Sequence, residues 1–433
     1  MKNRIPRRRV GGKRKLTYLR KVKHFLWIIG PGIIAGAAGN DAGSIGSLAS
    51  SGALYGCSIL WALLLSLIFS YFIQDMCVRI GIVSGKGLVE HARERYGFKV
   101  GFIFLLAFLA VNFATIVAEI AGMAASLELL AWVAGFYVPY TVLAPILTVC
   151  VWIFLLKEGY GPIERVFSIV SLTMFVYVAV AFMVKPSPEE VFYGSFWITR
   201  KLTFDYLVYV SAIIGATISP YMQFYLVSAI IDKKVRVKDI LSERIGSALG
   251  ITISGIQAFA IVIVAAYVLF PRGIAVETAR DVALALVPFL GFSAFTLFSV
   301  GFFASSLNGT GVIISSSGYS FSEFFGVERG LSKRVREAFT FYLMFTVCFM
   351  IGYGALIFGV TPIQAMVYSM VISFILSPMV VYLILRVSND REIMGEHVNS
   401  PIIKLVGWII FVVLLFLDAI LLADMVTAYI WQP

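Results

Sequence analysis

The chain has 433 residues, 60% of them hydrophobic and only 14% charged, with a formal net charge of +11. That composition excludes an ordinary soluble domain of this length and points to a polytopic membrane protein. The four cysteines, Cys57, Cys77, Cys150 and Cys348, have no paired spacing. They read as small apolar packing residues, with neither a disulfide nor a zinc site implied.

In chain order, residues 1–24 come first and carry eleven Lys and Arg. This basic arm suits anionic lipid at the cytoplasmic face, and no nucleic-acid partner is expected. It runs into a full-length apolar segment without a small-residue cleavage pattern, so no cleavable signal is expected. Eleven apolar runs of spanning length follow, near 25–50, 57–83, 100–126, 138–156, 163–184, 205–231, 247–270, 286–318, 338–358, 362–386 and 403–427. With the N-terminus in the cytoplasm, only Lys185, Arg200, Lys201, Arg272 and Arg280 of the 35 Lys and Arg fall outside. The positive-inside rule therefore supports this topology in the cell membrane, with the C-terminus extracellular. Residues 85–97 and 233–246 read as short amphipathic cytoplasmic helices. All three histidines, His24, His91 and His397, lie in cytoplasmic segments, which leaves none at bilayer depth for proton relay or metal ligation.

The first span contains GNDAGSIGS, Gly39 to Ser47. A carboxylate at the centre of an inserting helix costs roughly 2.5 to 3.5 kcal/mol, so such residues usually face a polar cavity. The flanking glycines weaken the helix at the same place. A helix broken in mid-membrane frees backbone carbonyls where they line a cavity, and carbonyls plus Asp41 make an oxygen-rich cation site. The structural alternative is a buried pairing of Asp41, with the glycines serving close helix packing. The sixth span supplies a second break. In GATISPYMQFY, Gly215 to Tyr225, Pro220 removes an amide donor and frees acceptors near Ala216 and Thr217. Broken first and sixth spans are the expected partners of a five-plus-five inverted repeat.

GPGIIAGAAGNDAGS, Gly30 to Ser44, resembles the first-helix signature of the Nramp divalent-metal transporters, GPG followed eight residues later by DPGN. GATISP resembles the family's sixth-helix pattern, and SVGFFASSLNGTGVIISSSGYS in the eighth span also fits. The resemblance covers most of the chain. It implies an all-α integral membrane protein with a LeuT-like fold: repeats over 25–184 and 205–386, and an extra eleventh helix over 403–427. It also implies Asp41 as the metal-binding aspartate, with Mn²⁺ and Fe²⁺ as the usual substrates, moved with protons.

The departures cluster at the substrate and proton sites. Ser44 stands in the place of the family's asparagine and Ala42 in that of its proline. Ser219 replaces the metal-binding methionine and Tyr221 the following histidine. Met370 replaces a glutamine, and Ile116 an acid that precedes Glu119. A thioether favours transition metals, whereas hydroxyl, carbonyl and water oxygens suit Mg²⁺. The pattern thus resembles the Nramp-related magnesium transporters. The expectation is uniport of Mg²⁺, with Mn²⁺, into the cytoplasm by a monomer without a cofactor. Asp41, Ser44, Ser219, Ala216 and Thr217 form its metal site, and Met370 is expected to face packing. Glu119, Tyr221, Met370 and Asn308 are the coupling or pathway candidates.

Two alternatives stay open, a proton-coupled Mn²⁺/Fe²⁺ transporter of the Nramp type and a cation-coupled amino-acid carrier of the same fold. No nucleophile, base and orienting group converge in a motif, so an enzyme is not expected.

Overall fold

The computed structural model describes residues 38–158, 170, 172–331, 333–357 and 361–430. The basic arm, the GPG motif and the C-terminal residues 431–433 lie outside the described residues. So does most of the first half of the fifth span.

The described residues contain helices and no strand. The main helices are α1 (Ala42–Tyr55), α2 (Leu60–Ser84), α3 (Leu88–Val133), α4 (Tyr140–Glu158), α5 (Val176–Val184), α6 (Pro188–Phe196) and α7 (Phe204–Thr217). They continue with α8 (Pro220–Asp232), α9 (Ile240–Val268), α10 (Ala279–Leu284), α11 (Ser293–Phe325), α12 (Phe339–Ile357), α13 (Pro362–Ser388) and α14 (Pro401–Ile430). Every span expected from the sequence overlaps one of these helices. By length and composition, eight stretches among the described residues can cross a membrane, with Ala42–Ser84 and Phe204–Asp232 each taken as one. Tyr140–Leu156 and Leu172–Val184 are shorter apolar helices.

Of the two short cytoplasmic segments, one is as expected and one needs correction. The segment 85–97 forms a helix that begins at Leu88 and is parted from the third span by a kink at Gly97, where a φ of 81° and a ψ of 171° are non-helical, so the expected short helix is present. The segment 233–246 forms a short turn, Val237–Asp239, and then the first turns of α9. Burying Glu243 and Gly246 against neighbouring helices makes those turns part of the long helix.

The sixth-span break is present, and the described part of the first span opens on a non-helical Asp41. Ahead of α1 stands a single 3-10 turn, Ala38–Asn40, and then Asp41 with φ −69° and ψ 178°, an extended conformation that interrupts helical bonding. Between α7 and α8 the chain leaves the helix at Ile218 and Ser219, and Pro220 opens α8 at its first position. A proline is suited to that position, where its missing N–H costs no helical hydrogen bond.

The α7/α8 stretch lies at the centre of the molecule. Its apolar window is 94% buried, against 33% for α14 at the periphery. Helices α3, α11 and α13 pack around it and around α1, with α3 against α11 the most extensive contact. Asn112 of α3 donates to Ser316 and Ser317 of α11 at 3.0 and 2.8 Å. The serine run of the eighth span therefore ties two helices together, as polar side chains do between membrane helices.

Candidate functional site

Asp41 is fully buried at the junction of the two breaks. As N-cap of α1 it accepts from the Ser44 amide through Oδ1 at 2.7 Å. Its other oxygen, Oδ2, accepts from the Tyr221 hydroxyl of α8 at 2.5 Å. One carboxylate thereby joins the second half of the first broken helix to the second half of the sixth. The positive end of the α1 dipole favours a negative charge here.

Glu119 of α3 completes the cap. Its Oε2 accepts from the Ala42 amide at 3.2 Å and its Oε1 from the Gly43 amide at 3.4 Å. Gly309 of α11 is where the two acids meet. A Cβ on Gly309 would lie 2.7 Å from Glu119 Oε2 and 2.8 Å from Asp41 Cβ. Asn308, half-buried, precedes that glycine on the same helix.

The expected neutral donors take different postures. The Ser44 hydroxyl is buried and has no hydrogen-bond partner among the described residues, which leaves it available to a cation or a water. Ser219 turns back on its own helix, donating to the Gly215 carbonyl at 2.5 Å and lying 3.4 Å from the Ala216 carbonyl. The Thr217 carbonyl is engaged as well, by the Ser70 hydroxyl of α2 at 3.0 Å. The proline break does free carbonyls, but neighbouring hydroxyls occupy them, as buried polar groups require.

Met370 packs, as expected, but it packs on the site itself. A Cβ at Gly43 would run into its terminal methyl, with the sulfur at 3.4 Å. A Cβ at Gly215 would run into its carbonyl, whose carbon lies at 2.9 Å. Glycine at one break and glycine beside the other thus let α13 approach both broken helices through a single residue. A thioether stands two positions from Asp41 in consequence.

Several participants were missed from sequence. Asn40, buried, donates to the Ser254 carbonyl at 3.2 Å and to Gln257 Oε1 of α9. Gln74 accepts from Ser247 at 2.6 Å. Asn40, Ser70, Gln74, Thr217 and Ser254 line a cavity of about 20 Å³ behind the breaks, room for about one water. The only sequence signal was an amide side chain directly before Asp41. Gln364 lines a larger cavity of about 820 Å³ with Tyr55, Asp205 and Glu277, beyond the opposite end of α1.

Among the described residues no group of three or more His, Cys, Asp or Glu side chains could hold a metal ion. A cation at this place would rest on one or two carboxylates and neutral oxygen or sulfur donors. Such a set suits a passing ion better than a resident one.

The chain matches the family model "Natural resistance-associated macrophage protein-like" over residues 32–424. It is 25% identical to the divalent metal cation transporter MntH of Caldanaerobacter subterraneus subsp. tengcongensis, over 95% of this chain and 96% of that protein. It is 29% identical to MntH of Bacillus subtilis, over 94% of each. In fold it is similar to a manganese transporter of Eremococcus coleocola bound to an aromatic bis-isothiourea compound, with a TM-score of 0.71 at 19% identity, covering 99% of this chain and 91% of that one. MHP1, a nucleobase-cation-symport-1 transporter in a closed conformation, is also similar, at a TM-score of 0.61 and 13% identity over 93% and 90% of the two chains. The all-helical LeuT-like architecture that the resemblance implies is the one these structures share, and the chain belongs to the Nramp family.

Proposed function

We propose that this protein is a secondary transporter of divalent metal cations, with Asp41 as the anionic ligand between the two helix breaks. The observation that carries the reading is the Asp41 carboxylate itself, buried and shared between the first turn of α1 and Tyr221 of α8. A cation arriving there displaces the Tyr221 hydroxyl from Oδ2. Binding is then linked to the spacing of α1 and α8, the kind of coupling that alternating access requires. Ser44, Ser219 and the carbonyls of Ala216 and Thr217 are the neutral donors this reading assigns to the ion, the two carbonyls once the Ser219 and Ser70 hydroxyls that hold them let go.

Of the substrate classes open from sequence, the Mn²⁺/Fe²⁺ class is now the better supported. The relatives are named for divalent metal cations and the similar structure for manganese. Met370 adds a soft sulfur beside the broken helix. Mg²⁺ transport without proton coupling stays as the second reading because Ser219 stands where the family has its methionine. Glu119, bound to two α1 amides next to Asp41, is the coupling candidate under the first reading. The proposed topology keeps the N-terminus cytoplasmic and the C-terminus outside, with repeats over 25–184 and 205–386.

The test is uptake of Mn²⁺ and of Mg²⁺ into proteoliposomes, with internal pH read at the same time and Asp41→Ala as control. Mn²⁺ uptake with acidification, lost in the variant, is expected. Mg²⁺ uptake without acidification would move the assignment to the hard-cation uniporter. Transport unchanged in Asp41→Ala would overturn the site.

A further inference from the structure

At the end of the molecule where α13 finishes and α14 begins lies a second polar cavity, of about 310 Å³, that takes no part in the cation site. Four cationic side chains line it: Arg95, Arg386, Arg391 and Lys404. Asp390 is the only acid in its wall among the described residues, and it is already engaged. Its Oδ2 accepts from Arg95 Nη1 at 2.8 Å, and its Oδ1 accepts from the Glu392 amide at 3.0 Å. Arg386, Arg391 and Lys404 have no ion-pair partner among the described residues. Three exposed cations without an acidic partner around one cavity favour an anion there.

The surroundings say which kind. Helix α14 exposes Ile402, Leu405, Ile409, Val412 and Phe416, an apolar face of the kind that acyl chains cover. Lys404 belongs to the first turns of the same helix and is exposed. One turn on, Trp408 lines the cavity and stands in an aromatic group with Tyr382 and Phe411, ring centroids 6.1 and 5.6 Å away. Trp and Tyr gather at headgroup depth because their rings are amphipathic. Close approach builds the pocket: a Cβ at Gly407 would meet a methyl of Leu385, so α14 lies directly on α13. That contact carries Lys404 and Trp408 to the side where Arg386 and Arg391 stand.

We propose that this cavity binds the phosphate of an anionic phospholipid, whose acyl chains lie along the exposed face of α14. A basic pocket between spanning helices at the membrane surface recognises headgroup phosphate by charge, and the adjoining apolar face holds the chains. Free phosphate satisfies the first requirement and not the second, which is why a lipid is the occupant. The site is independent of the metal pathway, and its test does not depend on transport.

The experiment titrates the full-length protein in detergent with phosphatidylglycerol or phosphatidylcholine carrying brominated chains, and reads quenching of tryptophan fluorescence. Trp408→Phe identifies the part of the signal that comes from the cavity. Phosphatidylglycerol should quench at lower concentration than phosphatidylcholine, and millimolar inorganic phosphate should not displace it. Each basic residue near an anionic headgroup contributes about fivefold in affinity. The Arg386→Gln, Arg391→Gln, Lys404→Gln triple variant should therefore bind phosphatidylglycerol about 100-fold more weakly. Should that variant fail to fold, Arg391→Gln and Lys404→Gln singly, both exposed, should each lose about fivefold. Equal quenching by the two lipids, or unchanged affinity in the variants, overturns the proposal. Displacement by inorganic phosphate overturns the lipid as occupant.

Discussion

Asp41 has two oxygens and two strong donors, an arrangement that keeps a carboxylate satisfied inside the protein while no cation is bound. The Ser44 amide is part of α1 and stays in place, whereas the Tyr221 hydroxyl reaches across from α8 and must yield to a metal ion. A hydrogen bond to a charged group is worth roughly 1.5 to 3 kcal/mol. Tyr221→Phe removes a competitor of about that size, so Mn²⁺ affinity measured by calorimetry in detergent should rise about tenfold. Weaker binding in this variant would show instead that the phenol is itself a ligand. Glu119 differs from Asp41 in that its oxygens rest on the Ala42 and Gly43 amides, so it supports the start of α1 whatever its part in proton movement.

The elements at the site are held close by residues without side chains. Gly215 of α7 lies against the Met370 backbone, and Gly43 of α1 against the Met370 side chain, so α13 touches both broken helices. The two glycines are not equivalent. A methyl at Gly43 meets a flexible thioether that can turn away, while a methyl at Gly215 meets a carbonyl fixed in a helix. Overpacking of a rigid interior costs roughly 1 to 3 kcal/mol. Gly215→Ala should reach that range and Gly43→Ala fall below it, as read from thermal unfolding in detergent. Equal losses would mean that Met370 is as confined as the backbone. The spacing of α13 from the breaks is thus set by glycine, while the breaks themselves come from the Asp41 cap and Pro220.

Across the whole molecule, a central α7/α8 stretch is enclosed by α1, α3, α11 and α13, and charged contacts cluster at one end. There Arg79 pairs with Asp75 at 3.1 Å, and Arg244 of α9 joins the same carboxylate. At the same end Arg95 pairs with Asp390 across 295 positions of sequence, linking α3 to the segment after α13. The hydrogen bond from Arg95 holds the Asp390 carboxyl below its ordinary value. A depressed carboxylate adds stability above its unfolded-state pKa, about 3.9, and loses it as pH falls through the folded value. Asp390→Asn should therefore unfold at a lower temperature than the parent at neutral pH, and the gap should close as the pH drops below that range. A gap that persisted in acid would assign the effect to packing.

Much of this architecture was legible from local chemistry. A carboxylate among glycines and a proline after Ser219 are local instructions, since each acts on the backbone within a turn of itself, and the backbone is non-helical at Asp41 and before Pro220. The apolar runs likewise marked the helices, because burial in lipid demands length and composition that a sequence displays directly. What no local pattern carried was which side chain answers which. Tyr221 lies 180 positions from Asp41 and Glu119 lies 77 from the Ala42 amide it caps. Met370 packs as expected, but no local pattern showed that the surface it packs on is Gly43. The sequence by itself determined where the helices break and where the charge must be buried. Only the packing of α3, α8, α11 and α13 around those breaks decided the donors of the site, because helix rotation and approach depend on all the surfaces in contact at once.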